Sequence, residues 1–150
     1  MSKKLLFVCL GNICRSPLAE GIARAKIAQK GLDFEVDSAG TSSWHEGNVP
    51  CFNSILVAKQ NGIDISKQKS RPFKKDDIKN FDMILALDEN NLRDLQRLGA
   101  NKAILLGDFG LNGEDIPDPY YYKNMEGFHK VYKMIDIAVE NLLLHVKDNI

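Results

Sequence analysis

Little in this chain of 150 residues commits it to a specialised environment: there are 3 cysteines, 3 histidines and 1 tryptophan, and 20 basic residues cancel 20 acidic ones. Cys9, Cys14 and Cys51 are too few, and odd in number, for a disulfide framework. His45, His129 and His145 are scattered without ligand spacing, so neither a metal nor any other cofactor is expected. With no net charge and no dominant polybasic stretch, nucleic acid and an anionic membrane surface are excluded as main partners. No apolar run approaches the ~20 residues of a membrane span, which speaks against membrane insertion. The apolar stretch after Lys3-Lys4 is too short for a signal peptide and is interrupted by Gly11, Asn12 and Arg15. G-x-G-x-x-G and Walker A patterns are also missing, so nucleotide binding has no local support. The expectation is a soluble cytoplasmic protein, with monomer as the default.

What is present is a regular alternation of short apolar runs and amphipathic stretches. The length fits one domain over 1–150, large enough to bury roughly 70% of its unfolded surface. Leu5, Leu6, Phe7 and Val8 read as a buried strand. Helical spacing runs from Leu18 to Gln29 with Gly31 as its stop. Strands are expected at Phe34–Val36, Met83–Leu87 and Ala103–Leu106, and helices at Pro50–Gln60 and Glu89–Leu98. Lys67–Lys79 reads as a basic loop with a short helix. Gly107–Tyr122 is a long, turn-rich loop of the kind that often carries function. Apolar residues from Met125 to Val146, in steps of three and four, predict one long closing helix. The order predicts an α/β fold: a four-stranded parallel twisted sheet with helices on both faces and a phosphate-binding loop after the first strand. Its ligands should bind at the carboxyl ends of the strands.

Cys9 ends that first strand, and Arg15 follows five residues later in Cys9-Leu10-Gly11-Asn12-Ile13-Cys14-Arg15-Ser16-Pro17. Ser16 is expected as helix N-cap with Pro17 at the first helical position. A strand, a tight loop and a helix N-terminus in that order aim backbone N–H groups and the helix dipole at one point, which attracts an anion. Leu10, Gly11, Asn12, Ile13, Cys14 and Arg15 would then bind phosphate. Gly11 and Asn12 are the loop residues that most easily adopt positive φ. A thiolate at Cys9 would be a nucleophile with a lowered pKa, and Arg15 would grip two phosphoryl oxygens in a fork. Cys14 has two readings that the sequence does not separate, a trap for oxidised Cys9 as a disulfide or a small residue that packs the loop, while Cys51 is expected only to pack in a helix. Asp108, Asp115 and Asp118 share the long loop, and local pattern does not choose a general acid among them.

The string from Cys9 to Pro17 resembles the low-molecular-weight protein tyrosine phosphatase family, in its bacterial-type form. Asp118-Pro119-Tyr120-Tyr121 is similar to that family's general-acid loop, and Asp37–Thr41 and Asp88–Leu95 are further similar stretches. The resemblance implies hydrolysis of phosphotyrosine in protein substrates through a phosphocysteine on Cys9, with Arg15 binding phosphate and Asp118 as general acid and base. It also implies that Asn12 orders the loop through Ser16 and Ser38. Trp44, Tyr120 and Tyr121 would wall a slot for an aromatic ring, with Leu10 and Ile13 lining it and His45 tuning the rim. Histidines that many eukaryotic members carry near the positions of Asn61 and Lys67 are replaced here. Related arsenate reductases need cysteines far along the chain, and this one has none after Cys51. Arginine phosphatases typically carry threonine where Ile13 stands.

Overall fold

The computed structural model describes residues 2–122 and 124–149, and the side chains of all of these but Tyr121 and Asn149. Four parallel strands form one sheet in the order β2-β1-β3-β4: β1 Lys3–Cys9, β2 Phe34–Gly40, β3 Met83–Ala86 and β4 Ile104–Leu105. Leu5, Leu6, Phe7 and Val8 are completely buried because β1 is central and covered on both faces. Leu5 and Phe7 enter one apolar cluster, packed against α1 (Arg15–Lys30), α2 (Phe52–Gln60) and α5 (Glu126–Asn149). Leu6 and Val8 enter the other, with Leu95 from α4 (Glu89–Arg97) and Ile78 from the short α3 (Asp77–Asn80). Among the described residues no helix is long and apolar enough to cross a membrane.

The strand order reverses at β1, since β2 lies to one side of it and β3 to the other. The carboxyl end of β1 is therefore a topological switch point, where doubly wound sheets open a crevice. Cys9 stands at that end.

Several boundaries differ from the sequence expectation for physical reasons. Ser16 is not the N-cap of α1: Cys14 takes that position without a side-chain cap bond, and the helix begins at Arg15. The Ser16 hydroxyl is instead tied into the loop before it. Pro17 thus falls on the third helical residue, where its missing N–H is still one of the unpaired donors of a first turn. The other end follows expectation. Gly31 takes the left-handed conformation (φ 63°, ψ 36°), and Leu32 N–H returns to the Ile27 carbonyl at 3.1 Å, closing a Schellman turn. β2 runs further than its apolar alternation, through Gly40, which puts Ser38 inside a strand. The long loop carries two single-turn 3₁₀ segments, Leu106–Asp108 and Pro119–Tyr121.

Candidate active site

Between β1 and α1 the chain curls so that its carbonyls face away from the curl. Cys9 O accepts from Thr41 N–H at 2.9 Å, Leu10 O from Ser42 N–H at 3.0 Å, and Gly11 O from the Ser70 hydroxyl at 2.9 Å. Ile13 O accepts from Cys51 N–H at 2.7 Å, and Cys14 O from the Ser54 hydroxyl at 3.1 Å. In a trans peptide the next residue's N–H points opposite to the carbonyl. The N–H groups of Leu10, Gly11, Asn12, Cys14 and Arg15 are thereby turned into the concave side, next to the N-terminus of α1. That arrangement is a backbone cradle of the kind that can hold an anion.

Asn12 holds the curl. It is 2% exposed and sits at φ 55°. Its Nδ2 donates to Ser16 Oγ at 2.8 Å and to Ser38 Oγ at 2.9 Å, and its Oδ1 accepts from Arg71 N–H at 3.0 Å. Ser38 in turn donates to Glu20 Oε1 at 2.6 Å, and Arg24 bonds the other oxygen of that buried carboxylate. Since Ser16 Oγ accepts from Asn12, its own hydrogen is left for Cys9 Sγ, 3.1 Å away. Of the two residues expected at positive φ, only Asn12 adopts it. Gly11 serves a close approach instead: a Cβ there would lie 3.0 Å from His45 Cδ2.

Arg15 is buried, and its NH1 is committed at 2.7 Å to Asp88 and at 2.9 Å to the Ile116 carbonyl. Burial works against the cation, but Cys9, Asp88 and Asp118 outweigh it, so the guanidinium is held still more firmly protonated than usual. Asp88 also caps α4 by accepting from Asn91 N–H at 2.7 Å. One carboxylate thus fixes both a helix start and the arginine.

A cleft of about 260 Å³ opens over the cradle, lined by Cys9, Leu10, Gly11, Ile13, Cys14, Arg15, Trp44, His45, Asp118 and Tyr120. Trp44 is 76% exposed and Tyr120 61%, so neither is a core residue. Tyr120 is buttressed edge-on by Phe128 of α5, with ring centroids 5.3 Å apart. Asp118 Oδ1 accepts from Tyr120 N–H at 3.0 Å, which fixes the carboxyl at the start of the 3₁₀ turn. Asp115 is engaged elsewhere, accepting from Glu89 N–H at 3.0 Å. Asn12, Ser16 and Ser38 stand behind the cradle. The side chain of Tyr121 lies outside the described residues. Among the described residues no three histidine, cysteine or acidic groups are gathered as a metal site.

Sequence reasoning missed Asp88, Glu20, Ser70 and the Ile116 carbonyl as supports of the loop. It also assigned Cys51 to plain packing, whereas its sulfur lies 2.7 Å from Cys14 Sγ. The two thiols meet because Cys51 N–H is bonded to the loop carbonyl of Ile13, next to Cys14.

Residues 4–150 match the family described as low molecular weight phosphotyrosine protein phosphatase. A low molecular weight phosphotyrosine protein phosphatase of Schizosaccharomyces pombe is 40% identical over 144 residues, covering 90% of this chain and 92% of the relative. The Bacillus subtilis low molecular weight protein-tyrosine-phosphatase YfkJ is 37% identical over 151 residues, covering 95% of each chain. Its crystal structure superposes with a TM-score of 0.91, covering 99% of this chain and 96% of that one. A Drosophila arginine phosphatase is equally similar in structure, with a TM-score of 0.91 at 35% identity over 98% of this chain and 99% of that one.

Proposed function

Because the chain belongs to the low molecular weight phosphotyrosine protein phosphatase family, we propose that Cys9, Arg15 and Asp118 hydrolyse phosphotyrosine in protein substrates in two displacements at phosphorus. The observation that carries this reading is the placement of a thiol, a guanidinium and a carboxyl around one backbone anion cradle.

In the first step Cys9 Sγ attacks phosphorus, the S–P bond forms and the P–O bond to the phenol breaks. Asp118 passes its proton to the departing oxygen, which is a poor leaving group as phenolate. In the second step Asp118, now a carboxylate, takes a proton from water as that water attacks phosphorus. The S–P bond breaks and Cys9 leaves as thiolate, receiving the Ser16 hydrogen bond. Arg15 spends NH1 on Asp88 and Ile116, which presents the other edge of its fork to two phosphoryl oxygens through both steps. The inward N–H groups stabilise the remaining charge.

Leu10, Ile13, Trp44 and Tyr120 supply apolar and aromatic walls, which suit a phenyl ring. Ile13 offers no hydroxyl toward the cleft, and this favours an aryl phosphate over a phosphoguanidine. Every group in the scheme comes from one chain, which supports a working monomer. A nucleophilic thiol requires reduced sulfur and supports a reducing, cytoplasmic setting. The test is to trap the intermediate. Acid quench of Asp118→Ala during turnover of an aryl phosphate with a good leaving group should leave a phosphoryl group on the tryptic peptide 5–15, at Cys9. Turnover with phosphate on any other residue would overturn the assignment.

A further inference from the structure

Cys51, like Cys14, carries a thiol that the proposed reaction leaves unused, and it is not isolated. It stands at the N-cap of α2 with its sulfur 2.7 Å from Cys14 Sγ, and all three cysteines are free thiols. The contact is fixed from both sides. Cys51 N–H bonds the Ile13 carbonyl at 2.7 Å, and Ser54 Oγ donates to the Cys14 carbonyl at 3.1 Å while lying 3.2 Å from Cys51 Sγ. Both cysteines are half-buried, so small oxidants reach them while the pair stays registered. Cys14 lines the cleft beside Tyr120, so the pair reaches from the cleft wall to the start of α2.

We propose that Cys14 and Cys51 are an oxidisable dithiol whose disulfide staples the catalytic loop to the start of α2 and keeps Cys14 from pairing with Cys9. Cys51 is the attacking member. The hydrogen bond from the Cys14 thiol, opposed by burial and helped by Ser54, lowers the Cys51 thiol to about 6, while that same contact and burial raise Cys14. At neutral pH the pair is thus one thiolate and one thiol, the combination that oxidises through a sulfenic acid. The Cys51 thiolate attacks the distal oxygen of a hydroperoxide, the O–O bond breaks, and the alkoxide or hydroxide leaves and takes a proton from water. Cys14 Sγ then attacks Cys51 Sγ. The S–S bond forms, and the sulfenic oxygen departs as water carrying the Cys14 proton. One hydroperoxide is reduced and two thiols are oxidised. Closing a 2.7 Å contact to a bond of about 2.05 Å needs only a small movement. The disulfide itself does not depend on the phosphatase reading; its consequence, that Cys14 is withheld from the oxidised nucleophile, rests on Cys9 being that nucleophile.

The test is a peroxide titration of the full reduced chain at neutral pH, followed by iodoacetamide and non-reducing tryptic mapping. Cys9 and Cys14 share the peptide 5–15, and Cys51 lies in 31–59, so a bond within 5–15 and a link between the two peptides differ in mass, and fragmentation of the linked pair tells Cys9 from Cys14. The expected product is 5–15 linked to 31–59 through Cys14, with Cys9 alkylated. Cys51→Ser should lose the link, keep the wild-type rate before treatment, and form the bond within 5–15 instead, so that several-fold more of the activity lost to peroxide returns with dithiothreitol than in wild type. A wild-type product bonded within 5–15, with Cys51 alkylated, overturns the proposal. So does a fraction of activity recovered by dithiothreitol that Cys51→Ser leaves unchanged. A link that forms in a chain without phosphatase activity would sink the catalytic reading and leave the dithiol standing.

Discussion

Replacing Asn12 with alanine removes one donor to Ser16, one donor to Ser38 and the acceptor for Arg71 N–H, all of them buried or half-buried. At about 1 kcal/mol of net stability each, the three bonds together come to about 3 kcal/mol. Alanine at φ 55° costs about 1 kcal/mol more, because the left-handed region crowds its Cβ against the following carbonyl. The expected loss for Asn12→Ala is therefore about 4 kcal/mol, and for Asn12→Gly, which keeps the backbone conformation without strain, about 3 kcal/mol. For a chain of this size about 4 kcal/mol corresponds to a fall in Tm of roughly 8–16 °C. Activity should fall in both variants, because Ser16 loses the bond that orients its hydroxyl toward Cys9 and the cradle loses its inner brace. Urea unfolding and phosphate release at saturating aryl phosphate measure the two effects separately. If both variants unfold within about 1 kcal/mol of wild type and retain its rate, the network described around Asn12 does not hold the loop.

Asp118→Asn should slow aryl phosphates with poor leaving groups by ~100-fold or more and spare those with good ones, read from a leaving-group series; equal losses across the series would remove Asp118 as the acid. Asp88→Asn keeps an oxygen to cap α4 but takes the charge from the Arg15 pair, so KM should rise and kcat fall together by ~10-fold or more while helix content is unchanged. Arg15→Lys keeps the charge but loses the fork and should lose more activity than Asp88→Asn; a lysine variant near wild type would refute bidentate binding. Because the Cys51 thiol is lowered to about 6, it is a thiolate above that pH, and its alkylation rate should rise with a midpoint near pH 6. Cys14→Ala removes the donor and should move that midpoint upward, toward an ordinary thiol; an unmoved midpoint would show that Cys14 is not its cause.

What could be read before the fold was known follows the range of the interactions. The β1–loop–α1 unit was legible because an apolar run, the C-x5-R spacing and Gly31 all lie within a few turns of chain. The sheet followed from the alternation of apolar runs with amphipathic stretches. The brace around Arg15 was not legible: Asp88 and Ile116 are 73 and 101 residues away from it, and a backbone carbonyl leaves no mark in side-chain pattern. Ser16 misled because a serine before a proline has the signature of an N-cap, while its hydroxyl is claimed by Asn12 and Cys9. Asp118 was singled out by family resemblance; locally it looked like Asp115, and only the folded loop separates the residue that faces the cleft from the one that bonds Glu89. Cys51 escaped because its partner is 37 residues away and nothing between them signals the approach.

The most direct test of the central claim is phosphate release from a phosphotyrosine peptide, with reductant and a chelator present, by wild type and by Cys9→Ser. Release by wild type that vanishes in the variant is the predicted result. No release by wild type, or release that survives Cys9→Ser, would contradict it, and the same assay on a phosphoarginine peptide would then show whether the cradle serves a phosphoguanidine instead.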